Sequence, residues 1–94
     1  MLPAIICTGE NGRCVVFGYV ESIPLPEEKV RITNARMVLR WDGACVGLFG
    51  LAAQGPLDDT RLTRTIAETT CVVKQALVVT DTAAEKIAAW ADWK

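Results

Sequence analysis

Lys29-Val30-Arg31-Ile32-Thr33-Asn34-Ala35-Arg36-Met37-Val38-Leu39-Arg40-Trp41 is the stretch whose reading decides the fold. It opens in strict alternation, with Val30 and Ile32 on one face of an extended chain, and resumes with Met37, Leu39 and Trp41 on the other parity. Successive side chains of a strand point to opposite faces, so an apolar face changes phase only where a residue is inserted or the chain bends. The slip predicts a β-bulge or tight bend at Asn34-Ala35. It also puts Arg36 and Arg40 together on the face opposite Met37, Leu39 and Trp41.

Toward the N-terminus the pattern stays β-like. Residues 2–8 and 14–20 read as two strands joined by Gly9-Glu10-Asn11-Gly12-Arg13, where Asn11-Gly12 is a hairpin dipeptide because both residues tolerate positive φ. Pro24 and Pro26 make residues 21–28 an exposed loop, since proline cannot donate to a ladder. Toward the C-terminus, residues 44–54 spell a short helix that is apolar nearly all round and ends at Gly55-Pro56. Such a helix is buried or meets a partner. Gly43, Gly47 and Gly50 weaken it by about 1 kcal/mol each at an interior position, so tight packing is expected.

Residues 60–64 are a short strand candidate, and 69–80 a longer one whose apolar run breaks at Lys74-Gln75, as at a second bulge. From Asp81 the period is helical: Thr82 followed by Glu85 is a capping box, and Ile87 with Trp90 would seat the helix on the sheet. The expected architecture is an α+β single domain over residues 1–94. It has a mostly antiparallel sheet of about five strands, a short buried central helix and a C-terminal helix packed on one face.

A chain of 94 residues buries only about 60–65% of its unfolded surface, a thin margin that favours self-association, so a homo-oligomer is expected. With 51% hydrophobic and 22% charged residues it is no disordered segment. Ten basic against 11 acidic residues argue against a dedicated binder of duplex nucleic acid. The first eight residues are too short and uncharged for a signal peptide, and no apolar run approaches the ~18 residues of a membrane span. A cytoplasmic location away from membranes is the expectation.

The absences are informative about chemistry. With no histidine and one serine, Ser22, neither a Ser-His nor a Cys-His nucleophile can be assembled within the chain. Cys7, Cys14, Cys45 and Cys71 are scattered without a C-x-x-C, so no metal site is expected and they read as small buried apolar side chains. A Cys7–Cys14 disulfide across the hairpin is the alternative, disfavoured in a reducing cytoplasm. The acid pairs Asp58-Asp59 and Glu27-Glu28 sit in turn-like segments, where carboxylates are solvated rather than tuned. The glycine-rich run 43–50 lacks both the Gly-Lys-Ser/Thr ending and the G-x-G-x-x-G spacing of phosphate loops. No enzyme and no cofactor is expected.

The positive expectation rests on Asn34, Arg36, Arg40 and Trp41. Two arginines at i, i+4 on one strand face offer planar donors to phosphates or carboxylates, and a neighbouring aromatic can stack on a base, making an anion or nucleotide platform. The competing reading is the ordinary solvated face of an edge strand, balanced by Glu21, Asp42 or Glu68. Phe17 and Tyr19 share a strand face and read as core. Trp90 and Trp93, three apart on the C-terminal helix, are interface candidates, with Trp90 docked and Trp93 either frayed or contacting another subunit.

Val16-Phe17-Gly18-Tyr19, Asn34-Ala35-Arg36-Met37, Trp41, Gly47-Leu48-Phe49-Gly50-Leu51-Ala52-Ala53, Gly55-Pro56 and Thr82-Ala83-Ala84-Glu85 with Trp90 together resemble a family of small phage and prophage proteins, a domain of unknown function. The resemblance covers about residues 15–90 and implies a phage origin, hence the host cytoplasm, and no chemistry. Small phage proteins without catalytic residues inhibit host defence, assist assembly or decorate virions. By that association the chain is expected to be a non-catalytic, stoichiometric inhibitor of a host defence component, its partner a host defence protein or a small anionic nucleotide. A virion or assembly accessory protein is the alternative.

Overall fold

Strand β3 (Lys29–Arg40) is the spine of the computed structural model, which describes residues 1–45 and 47–93. Val46, inside the expected central helix, and Lys94 lie outside the described residues. Around β3 are β1 (Leu2–Thr8), β2 (Cys14–Val20), β4 (Arg61–Leu62), β5 (Ile66–Val72) and β6 (Gln75–Val78), with helices α1 (Gly47–Gln54) and α2 (Asp81–Ala89). A 3₁₀ turn, Gly43–Cys45, precedes α1. The architecture is α+β with an antiparallel sheet, as the sequence predicts. The expected strand at 69–80 is two strands that bend apart at Val73-Lys74, which raises the count from about five to six among the described residues.

The bulge is where the phase slip puts it. Phe17 pairs with Arg36 and Tyr19 with Thr33, so two steps along β2 face three along β3. The extra residue is accommodated by Asn34 at φ 49°, a left-handed conformation that asparagine tolerates better than most residues. The faces beyond the bulge differ from expectation. Val38 is buried, while Met37 and Leu39 are 43% and 45% exposed and Arg36 only 1%. Arg36 sits opposite Phe17, on the face covered by the helices, and finds hydrogen-bond acceptors there.

One edge of β3 pairs with β2 and the other with β5, from Lys29↔Val72 to Ala35↔Ile66, and then with β4 at Val38↔Leu62 and Arg40↔Arg61. β6 pairs with β1 from Ala4↔Val78 to Cys7↔Gln75. Because β5 and β6 are two halves of one segment, the sheet curls until its ends meet on residues 66–78. At the meeting point the Val73 N–H donates to the Glu28 carbonyl (2.9 Å) and the Lys74 N–H to the Cys7 carbonyl (2.8 Å). The result is a small barrel.

Two cores arise from that curl. Ala4, Ile6, Val16, Val20, Val30, Ile32, Ala35 and Val73 fill the inside of the barrel. Ile5, Cys7, Val15, Phe17 and Val38 pack on the outside against Leu51 of α1 and Ala83, Ala84 and Ile87 of α2. Strands covered on both faces read as continuous apolar runs, which is why residues 4–7 are all buried. The barrel is narrow at Gly18: a Cβ there would stand 2.2 Å from Ile32 Cγ2 and 2.9 Å from the Thr33 carbonyl oxygen.

Several local expectations are corrected. In the β1–β2 turn the left-handed residues are Gly9 and Gly12 (φ 86° and 65°), not Asn11. Helix α1 is buried along one side only, at Leu51 and Ala52, while Phe49 is 70% exposed. The cysteines are free; Cys7 and Cys45 are buried, Cys71 is half-buried and Cys14 is exposed. Cys14 faces Thr8 rather than Cys7 across the hairpin, so no disulfide forms. Burial pushes the Cys7 and Cys71 thiols above their ordinary range, the reverse of an activated nucleophile. Among the described residues no cluster could hold a metal ion and no helix is long and apolar enough to cross a membrane.

The cap of α2 is Thr80 rather than Thr82. Thr80 is extended, its Oγ1 accepts from the Ala83 N–H (3.1 Å), and the same hydroxyl donates to the Ala53 carbonyl at the end of α1 (2.9 Å). Thr80→Ala is therefore expected to cost about 1 kcal/mol. Thermal unfolding should show it as a fall in Tm of roughly 4–8 °C, and a Thr82→Ala control should show little change.

Candidate functional site: the cleft at the bulge

The buried guanidinium of Arg36 organises this end of the molecule. Its Nε donates to the Thr63 carbonyl (2.8 Å), Nη1 to the carbonyls of Ile87 (2.6 Å) and Trp90 (2.8 Å), and Nη2 to Asp92 Oδ1 (2.9 Å). The last carbonyls of a helix lack intrahelical partners and carry partial negative charge, so a cation placed there is doubly favoured. Burial pulls the Arg36 pKa below its ordinary value and Asp92 opposes the shift, yet an arginine keeps its charge. Arg36 is thus a clamp on the C-terminal segment, not a solvated donor on an open strand face.

The clamped segment corrects the expectation for the tryptophans. α2 ends at Ala89, so Trp93 lies beyond the helix. Asp92 bridges Leu62 in parallel, the Trp93 N–H donates to the Leu62 carbonyl (2.9 Å), and the Arg61 guanidinium stands 5.2 Å from the centroid of the Trp93 ring. Trp93 is neither helical nor frayed, although half its surface is exposed. Trp90 docks as expected, its indole N–H donating to the Thr60 carbonyl (2.9 Å).

Arg40 is exposed and pairs with Asp59 (2.7 Å), an acid outside the expected set of Glu21, Asp42 and Glu68; Glu68 belongs to Arg31. Trp41 is half-buried against the helix-side core. The four expected residues therefore separate. Asn34 and Arg36 line one cleft, while Arg40 and Trp41 lie outside its lining.

That cleft, about 500 Å³, is lined by Met1, Phe17, Tyr19, Thr33, Asn34, Arg36, Thr65 and Ala88. The bulge shapes one wall and α2 the other. Phe17 and Tyr19 meet edge to face, centroids 5.6 Å apart at 73°. The Thr33 hydroxyl is within reach of the Tyr19 carbonyl (3.3 Å) and of Met1 Sδ (3.1 Å). The lining offers aromatic and methyl surface with an amide and hydroxyls, and its arginine faces backbone carbonyls and Asp92. Such a surface suits an apolar or neutral group better than a phosphate.

Sequence reasoning singles out Asn34 and Arg36, and its reading of Phe17 and Tyr19 as core holds, since Phe17 is buried and Tyr19 packs against the same cluster while both also border the cleft; it passes over Thr33, Thr65 and Ala88. The Phe17-x-Tyr19 alternation beside the slip at Asn34 is the usable signal. Thr65 and Ala88 arrive from distant segments and carry none.

No curated protein and no solved structure matches the chain. Residues 1–90 match the family described as a domain of unknown function, DUF6948, and the chain belongs to that family.

Proposed function

We propose that this chain is a non-catalytic binding protein of phage origin that acts stoichiometrically in the host cytoplasm, as a homo-oligomer, to block a protein component of host defence. The observation that supports this reading over its nucleotide-binding form is the engagement of both arginines. Arg36 faces carbonyls and Asp92, and Arg40 faces Asp59, so the expected anion platform is already occupied by the chain's own groups. What remains at the bulge is a partly aromatic cleft whose arginine is already paired within the chain, and it fits an apolar side chain of a protein partner. A virion or assembly accessory protein is the second reading, favoured by exposed Met37, Leu39 and Phe49, which a permanent assembly would cover.

Ala88 lies on the exposed side of α2 at the cleft wall, so Ala88→Phe fills the cleft without entering a core. In a host that restricts phage, expression of the chain should raise the plating of a restricted phage. Ala88→Phe should weaken partner capture at least about tenfold, ~1.4 kcal/mol, and abolish the plating effect with an unchanged circular dichroism spectrum. Equal capture and plating by the variant would sink the cleft as the binding site. Stoichiometric amounts of the chain in purified virions would favour the second reading.

A further inference from the structure

β5 is paired along one edge only. The Val73 N–H and C=O both bond toward β3, to Glu28 and Glu27, and peptide groups alternate sides along a strand. Those of Ile66, Glu68 and Thr70 therefore face the other edge. Among the described residues no hydrogen bond reaches these groups, and on that side only the Val72 carbonyl is taken, by the Thr8 hydroxyl (2.6 Å). Ile66 and Val72 are both exposed. Solvent-facing edges are usually blunted by lysine, proline or a bulge; the sequence Ile66-Ala67-Glu68-Thr69-Thr70-Cys71-Val72 has neither residue type and is rich in β-branched ones.

We propose that two copies of the chain pair antiparallel through this edge, about a two-fold axis at Thr69. The inference makes specific the self-association included in the proposed function. In this register the outward peptide groups of Glu68 meet those of Thr70 from the second copy, and Ile66 lies opposite Val72. No like charges stand directly opposite one another, the two Glu68 side chains lying on a diagonal about 7–8 Å apart with each held toward its own Arg31, whereas an axis at Glu68 would set two carboxylates face to face. Charge complementarity favours a second copy over an unrelated strand. Arg31 stands opposite Thr70 in β3 and holds Glu68 of its own chain through two hydrogen bonds (2.9 and 2.7 Å). Glu68 of the second copy would arrive on the same face across the short Thr70, about 10 Å or two strand spacings from Arg31, extending the ion pair over the seam.

Sedimentation of the full chain over a concentration series tests this. The wild type should be a dimer at micromolar concentration. Thr70→Pro removes an outward N–H and leaves the β3 ladder intact, so it should sediment as a monomer with an unchanged circular dichroism spectrum. Glu68→Arg should weaken association at least about tenfold, and Arg31→Glu combined with Glu68→Arg should restore it, which keeps the test open should Thr70→Pro fail to fold. A wild type that stays monomeric, or a dimer indifferent to Glu68→Arg, overturns the proposal. Ala88→Phe should leave the dimer intact, so failure of the cleft and failure of the edge are read separately.

Discussion

Arg36→Met is expected to lower the unfolding free energy by about 3–5 kcal/mol, a large part of the ~5–15 kcal/mol that holds a domain together. Methionine keeps much of the apolar stem but has no donor. Replacing an entire buried ion pair by apolar groups is often harmless, because neither partner is then left alone. Here that escape is closed, since three of the acceptors are backbone carbonyls, of Thr63, Ile87 and Trp90, and no substitution removes them. The Ile87 carbonyl would keep the Trp90 N–H (3.3 Å), while an acceptor left bare out of reach of water costs about 1–3 kcal/mol. Arg36→Lys should recover part of the loss, as an ammonium keeps the charge at the end of α2 but cannot span four acceptors with a planar fork. Urea unfolding followed by far-UV circular dichroism reads both variants. A loss below about 1 kcal/mol for Arg36→Met would mean that the C-terminal segment is held by Trp90 and the Leu62 bridge alone.

Arg36 also shows where the sequence stops being legible. The slip at Asn34 can be read because a period of two cannot change phase without an inserted residue, whatever the rest of the chain does. Which face the slip exposes depends on the rest of the chain. Placing Met37 and Leu39 inward assumes that the apolar side of a strand is the buried side, yet the covered side carries Arg36 and Val38. The partners that make an arginine welcome there are carbonyls at the end of a helix more than 50 positions away, and backbone groups leave no mark in a residue pattern.

The same limit explains the cap and the barrel. Thr82 with Glu85 is the better local capping pattern, but only Thr80 also reaches Ala53 on the other helix. Strands β1 and β2 are readable as strands from their apolar runs, whereas closure depends on one segment meeting β3 with its first half and β1 with its second. Nothing in the composition of residues 66–78 says that. The cleft is half legible for this reason: Asn34 belongs to the strand that slips, and Ala88 to a helix whose placement only closure determines.

The tightest consequence of closure falls at Gly18, and Gly18→Ala is expected to cost about 1–3 kcal/mol. A methyl group there would sit 2.2 Å from Ile32 Cγ2, 2.9 Å from the Thr33 carbonyl oxygen and 3.4 Å from Ala35 Cα. Ile32 is fully buried inside the barrel and cannot swing aside, and the carbonyl belongs to the strand itself. A glycine-to-alanine change also restricts the unfolded chain, a gain of about 0.4–1 kcal/mol, smaller than the overlap penalty. Gly18 lies between the Phe17↔Arg36 and Tyr19↔Thr33 pairs, directly across from the bulge, so relief must come from moving Thr33 and Asn34 at the cleft. Coupling identifies the cause. Ile32→Ala removes the nearest atom at its own cost of about 2–5 kcal/mol, and the double variant should be less destabilised than the sum of the two by at least about 0.5 kcal/mol. Strict additivity in thermal or urea unfolding would place the penalty in the strand backbone at Thr33, and Ile32 would then have no part in keeping Gly18 a glycine.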